Sequence, residues 1–159
     1  MSLVSKNFKP PCELKTEDFF ICLLSAKFLD EDYKAVMSNI ELIRKTRGGA
    51  WPTTNLSLHQ DLIDLSWHEK KIREKNSFAF AVFSKNKKTY LGCFYFYPPD
   101  WRKKAPHNSD VDVSFWVIQK AYDGGLYQKL YEVIKDWLQK DWPFKHPYWT
   151  NEELPTEKK

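Results

Sequence analysis

Asp110-Val111-Asp112-Val113-Ser114-Phe115-Trp116-Val117 alternates polar and apolar residues, and the chain that follows, through Gln119-Lys120-Ala121-Tyr122-Asp123-Gly124-Gly125 to Leu138, changes period. The first part has the two-residue repeat of a strand with one apolar face. Leu126, Leu130, Val133, Ile134, Trp137 and Leu138 then recur at helical spacing. A strand that passes through glycines into a helix leaves backbone N–H groups unpaired at the helix start, where the dipole adds partial positive charge. Such a place suits a phosphate.

Working outward, Phe78–Phe83 and Tyr90–Tyr97 are aromatic-rich runs joined by Ser84-Lys85-Asn86-Lys87-Lys88, which reads as a hairpin. Gly92 inside the second run marks a bulge or a close backbone approach. The aromatic density of both runs implies cover on both faces, hence a central place in a sheet. Phe19 to Leu24 is a short apolar run fit for a buried strand. From Asp30, the spacing of Tyr33, Val36, Met37, Ile40 and Ile43 predicts one helix that ends at Gly48. Ser57 and Gln60 have the form of a capping box opening a second helix through Leu58, Leu62, Leu65 and Ile72. Lys145 to Trp149 is a last strand candidate. The order is strand, helix, helix, three strands, helix, strand: an α/β (α+β) mixed sheet. Residues 1–17 read as an arm, 18–150 as a single domain and 151–159 as a solvated tail.

The chain has 159 residues, 16% of them aromatic, enough for one domain with a packed core. Its net charge of +4 is spread over short clusters, which attracts anions in general without marking a nucleic-acid binder. Cys12, Cys22 and Cys93 form no paired spacing and read as buried, reduced thiols of a cytoplasmic protein. No apolar run is long enough to span a bilayer, so a membrane partner is not expected. His59 and His68, nine apart, read as sharing a helical face, but no metal motif accompanies them and no metal is assigned.

The turn after residue 118 resembles the acyl-CoA pyrophosphate loop of the GNAT superfamily of N-acetyltransferases, Gln/Arg-x-x-Gly-x-Gly/Ala. Gln119 and Gly124 stand at its first and last positions, and Tyr122 replaces its middle glycine. The order of elements matches the GNAT core from its first to its fifth strand. The runs Trp67-His68-Glu69, Leu91-Gly92-Cys93 and Asp141-Trp142-Pro143-Phe144 also look like small bacterial members of the superfamily. The resemblance implies acetyl-CoA as co-substrate, with Trp116, Val117 and Ile118 near the thioester and Gln119, Lys120, Gly124, Gly125 and Leu126 around the pyrophosphate. It implies an amine acceptor, small molecule or peptide, bordered by Trp51 and its loop; His107, in the loop before the strand, is by its own chemistry a candidate base or a group that binds an acidic part of the substrate. GNAT enzymes continue past the fifth strand with a helix and two strands; here ten residues follow Trp149.

An amine must lose a proton to attack a thioester. Asp112, on the polar face of the strand, is the candidate base, and the alternative is an ion-paired strand residue; Asp110 shares its face. Asp123 stands against a phosphate site, since its carboxylate can cap the helix itself, while Lys120 and Lys129 offset its charge. Three functions follow. The first is an acyl-CoA-dependent N-acyltransferase, the second a non-catalytic GNAT-like domain that binds CoA, another ligand or a partner; in either case the sheet edge invites a homodimer. The third, an RNA binder using Gly92-Cys93-Phe94-Tyr95-Phe96 as a stacking platform, is the weakest.

Overall fold

The computed structural model describes residues 2–155. In chain order the elements are β1 (Glu13–Lys15), β2 (Phe19–Leu23), a 3-10 turn (Ala26–Phe28), α1 (Leu29–Met37), α2 (Ile40–Arg47) and α3 (Leu58–Arg73). The hairpin β3 (Phe78–Ser84) and β4 (Tyr90–Tyr97), β5 (Val111–Val117), α4 (Gln119–Asp123), α5 (Leu126–Asp141) and β6 (Pro147–Trp149) follow. All strands form one sheet in the order β1-β2-β3-β4-β5-β6, antiparallel throughout except for the parallel pair β5–β6.

The sheet is covered on both sides, as its aromatic strands require. Phe80, Phe94, Phe96, Val113 and Phe115 pack under Leu130, Ile134 and Trp137 of α5. On the other face Ala79, Ala81, Cys93, Tyr95 and Trp116 pack under Val36, Ile43 and Leu65 of α1, α2 and α3. Each fully buried large side chain of this kind contributes roughly 1.5–3 kcal/mol of transfer free energy. Every residue of β4 is buried, so the aromatic run of Gly92 to Phe96 offers no stacking face to RNA. Gly92 lies at a register shift between β3 and β4. A Cβ there would stand 2.0 Å from the Trp116 carbonyl oxygen, so only glycine admits this approach of β4 to β5.

Several sequence expectations change. The single helix from Asp30 to Gly48 is two, broken at Ser38-Asn39. Asn39 leaves helical geometry, donates from Nδ2 to the Ala35 carbonyl and accepts from the Gln119 N–H through Oδ1. Its side chain competes with the helical ladder and ties the break to the end of β5. The N-terminal arm is built into the fold: β1 pairs with β2, Val4 is buried, and the Leu3 N–H donates to Lys75. Residues 151–155, read as solvated tail, begin with a buried Asn151, and residues 156–159 of that tail lie outside the described residues. Among the cysteines only Cys93 is buried; Cys12 is exposed and Cys22 half-buried. His59 is exposed while His68 is buried, because nine residues at 100° per residue make a half-turn and put them on opposite faces. The capping box is present with both of its hydrogen bonds.

Candidate functional site

The connection after β5 differs from an open loop. Gln119–Asp123 forms the short helix α4, and the turn into α5 falls at Gly124-Gly125. Gly125 has φ 84, the left-handed conformation that glycine adopts without strain, whereas Gly124 has φ -85. Gly125 is therefore the glycine this turn depends on. Its residue caps α5 with no side-chain hydrogen bond, and no acid lies in the first turn of α5. Asp123 does not cap the helix: its carboxylate accepts from the Gln119 side-chain amide at 2.9 Å. Lys129 faces away from that task and reaches Asp18 instead, at 3.5 Å. The α5 start thus keeps its dipole uncompensated, the condition an anion favours. At the start of α4, against α1, lies a pocket of about 400 Å³ whose lining includes Glu31, Lys34, Lys88, Lys120, Asn39 and Gln119.

Register decides which backbone groups of β5 are free. Ile118 N–H donates to the Leu91 carbonyl, so Ile118, Trp116, Ser114 and Asp112 bond toward β4. Val113, Phe115 and Val117 present their N–H and C=O to the opposite edge. There the Val113 carbonyl accepts from Thr150 N–H. Phe115 is held by Asn151, whose amide oxygen accepts from Phe115 N–H and whose NH₂ donates to Phe115 C=O, both at 3.0 Å. Val117 is the next position along that edge, and its residue is 1% exposed. The chain after β6 crosses this edge: Asn151 also donates to the Tyr127 hydroxyl, Tyr127 and Tyr122 donate to Glu153, and Glu153 N–H donates to Thr46.

On the face under α2 and α3 the polar residues of β5 are buried. Asp112 is fully buried; its oxygens accept from the Thr150 hydroxyl at 2.8 Å and from the Arg102 N–H at 3.4 Å. Burial raises its carboxyl above the usual range, and the Thr150 bond and the Arg102 charge pull it partly back. Arg102 clamps the surroundings, donating to the carbonyls of Arg47 and Gly48 and to the Thr150 hydroxyl. Burial, then repulsion from Arg47, lowers its guanidinium to about 10. Arg47 lines a second, smaller pocket with Trp51, Asp64, His68, Tyr95 and Tyr97. Burial raises Asp64 to about 6, although 41% of its side chain is open to solvent, which screens part of the effect.

Of the residues singled out by sequence, Trp51 lines this smaller pocket and Ile118, Gln119 and Lys120 line the larger one. Gly124 and Gly125 form the turn, and Leu126 opens α5. The Trp116 indole is buried and donates to the Tyr95 hydroxyl at 2.9 Å. His107 is exposed and belongs to neither pocket, and Asp110 is engaged at the other end of β5 with the N–H groups of Lys145 and His146. Sequence reasoning missed Arg47, Asp64, Tyr95, Tyr97 and Asn151. Neither Arg47, at the end of α2, nor Asp64, within α3, belongs to a motif that would single it out in the sequence. Among the described residues no group of acids, histidines and cysteines is placed to hold a metal, and no helix is long and apolar enough to cross a membrane.

No protein-family model matches the chain, and no curated protein matches it. Solved structures do. The ribosomal-protein-S5-alanine acetyltransferase from Vibrio fischeri superposes with a TM-score of 0.61 at 14% identity, over 82% of this chain and 68% of that one. RimL, a ribosomal L7/L12 alpha-N-protein acetyltransferase solved with coenzyme A, gives 0.62 at 12% identity, over 80% and 68%. The microcin C7 self-immunity acetyltransferase MccE, solved with acetyl-CoA and AMP, gives 0.56 at 12% identity, over 77% and 63%. The chain has the GNAT fold.

Proposed function

We propose that the protein is an acyl-CoA-dependent N-acyltransferase that moves an acyl group, in the first instance acetyl, to an amine. The observation that supports this most is the α5 start: a left-handed Gly125, no capping side chain and no acid in the first turn, at the end of β5 in a GNAT fold. In this reading the pyrophosphate lies over Gly124 to Leu126, with Lys120 near it, and the amide-rich pantetheine pairs with the Val117 edge of β5 as an added strand. The Val117 N–H is then the donor available to the thioester carbonyl, since Trp116 and Ile118 are committed to β4. One such donor is worth about 2.7–4 kcal/mol at a developing oxyanion. Asp64 is the better-placed base: it is part exposed, lines a pocket and is raised toward neutrality, where general bases work best. Asp112, held by Thr150 and Arg102, positions that end of β5.

A second reading has its own support. Asn151 occupies Phe115 with the two hydrogen bonds a pantetheine amide would make, and residues 151–153 lie across the same edge. A GNAT-like domain whose own chain fills the groove binds a partner or ligand without transferring acyl groups. Calorimetric titration with acetyl-CoA, of the parent and of Asn151→Gly, separates the two. Binding by the parent is what the enzyme requires, and turnover with an amine then separates it from a domain that binds CoA without catalysis; binding by Asn151→Gly alone, or by neither protein, supports the non-catalytic domain.

A further inference from the structure

Arg47 ends α2 and is only 8% exposed. Its Nε donates to the Ser114 hydroxyl at 3.2 Å, and its guanidinium lies 4.4 Å from the Tyr95 ring centre and 5.6 Å from that of Trp51. Aromatic faces ease the burial of a cation, but they do not neutralise it. Among the described residues no carboxylate is within ion-pair reach of Arg47. Across the same pocket, the basic group within ion-pair distance of Asp64 among the described residues is His68 Nε2, at 3.8 Å. Burial and the Arg47 charge push that imidazole down to about 3, so at neutral pH it carries no charge. The pocket therefore presents one cation and one anion, not ion-paired with each other, beside the mutually stacked rings of Tyr95 and Tyr97. His68 adds a buried Nδ1 that has no hydrogen-bond partner.

We infer that this pocket binds a small amino-carboxylate, its carboxylate on the Arg47 guanidinium and its ammonium on Asp64, and that this class of molecule is the acceptor. A guanidinium fork matches a carboxylate in two parallel hydrogen bonds. The volume of about 100 Å³ holds roughly three waters at about 30 Å³ each, so the bound part is small. A peptide N-terminus offers an amide where the pocket offers a guanidinium, and leaves Arg47 without its anion.

The assignment of the ligand as acceptor rests on the acyl-transfer reading; the binding itself does not. In the transfer, the ammonium gives a proton to the Asp64 carboxylate and the free amine attacks the thioester carbonyl. The carbon–sulfur bond breaks, the leaving thiolate takes the second proton of the attacking nitrogen, and the products are an N-acyl amino-carboxylate and CoA.

The test is calorimetric titration of the full chain, without any CoA, with glycine, β-alanine and γ-aminobutyrate. Propionate and propylamine serve as probes carrying one charge each. At least one amino-carboxylate is expected to bind at least tenfold tighter than either single-charge probe. Asp64→Asn, at a part-exposed position that tolerates the change, is expected to weaken that ligand at least tenfold and leave propionate unchanged. Arg47→Lys, which keeps the charge and removes the fork, is expected to weaken both. If no amino-carboxylate outbinds propionate and propylamine, or if Asp64→Asn binds them all as the parent does, the inference is wrong. Amino-carboxylate binding without turnover on adding acetyl-CoA refutes its role as acceptor and leaves the site standing, while the acyl-transfer reading itself falls only if the protein does not bind acetyl-CoA.

Discussion

Asp112 and Asp64 show how the same side chain takes different work from its surroundings. Asp112 is fully buried with both oxygens engaged, so Asp112→Asn is expected to cost about 1.5–3 kcal/mol of stability, the range for a lost hydrogen bond to a charged group. Chemical denaturation measures this. Asp64→Asn, by contrast, is expected to leave stability nearly unchanged and to reduce turnover with a responsive amino-carboxylate by roughly 10²-fold or more. The parent rate should fall as pH drops through about 6, where the Asp64 carboxylate takes up its proton and stops acting as a base. A rate that is flat from pH 8 to pH 5 contradicts that assignment. The polar face of β5 was visible in its alternation, and so was Asp112. Asp64 was not, because a carboxylate at one turn of an amphipathic helix reads as solvated until the facing strand supplies Tyr95, Tyr97 and the end of α2 supplies Arg47.

Between elements, α1 and α3 meet through two carboxyl groups. Asp32 is buried and accepts from the Tyr90 hydroxyl, and Asp61 is fully buried with no donor to either oxygen among the described residues. Burial, and then the neighbouring Asp32, raise Asp61 to about 9, so Asp61 keeps its proton and shares it with Asp32. The sign follows directly. The folded-state value lies above the ordinary 3.8, so the folded state binds the extra proton, and stability is full below about pH 4 and declines as pH rises toward 9. Asp61→Asn supplies a permanent donor and is expected to flatten this decline, raising stability at pH 8 by about 1–3 kcal/mol. Melting curves of parent and variant at pH 5 and pH 8 measure it, and a variant less stable at both contradicts the shared proton. The elements themselves were legible where period was strong, in β3, β4, β5 and α5, and where a local device was complete, in the capping box. The break at Asn39 was not legible, because its cause is the Gln119 N–H, eighty positions away in the chain. β1 was missed for a related reason: three residues with two exposed side chains carry no apolar signal and exist only as the partner of β2.

At the scale of the molecule, the GNAT fold places a parallel strand pair, a glycine turn and a helix start at one end of a doubly covered sheet. The small pocket of Arg47 and Asp64 lies on the α2–α3 face of that sheet. The order of elements, read together with the GNAT resemblance, was enough for a mixed sheet with the hairpin in its middle, because the aromatic hairpin strands need cover on both faces. What it could not give was the use of residues 150–153, whose polar side chains close the β5 edge only once β6 has paired beside it. The central claim is that the α5 start holds the pyrophosphate of an acyl-CoA. Gly124 is the place to test it: its φ is ordinary, a Cβ makes a tight 3.3 Å contact with the Lys120 carbonyl oxygen that a shift of a few tenths of an ångström relieves, and an aspartate there sets negative charge beside the uncapped helix without left-handed strain. Calorimetric titration of acetyl-CoA into the parent and into Gly124→Asp should show binding by the parent and at least a tenfold loss in the variant; equal affinities, or no binding by the parent, would contradict the account.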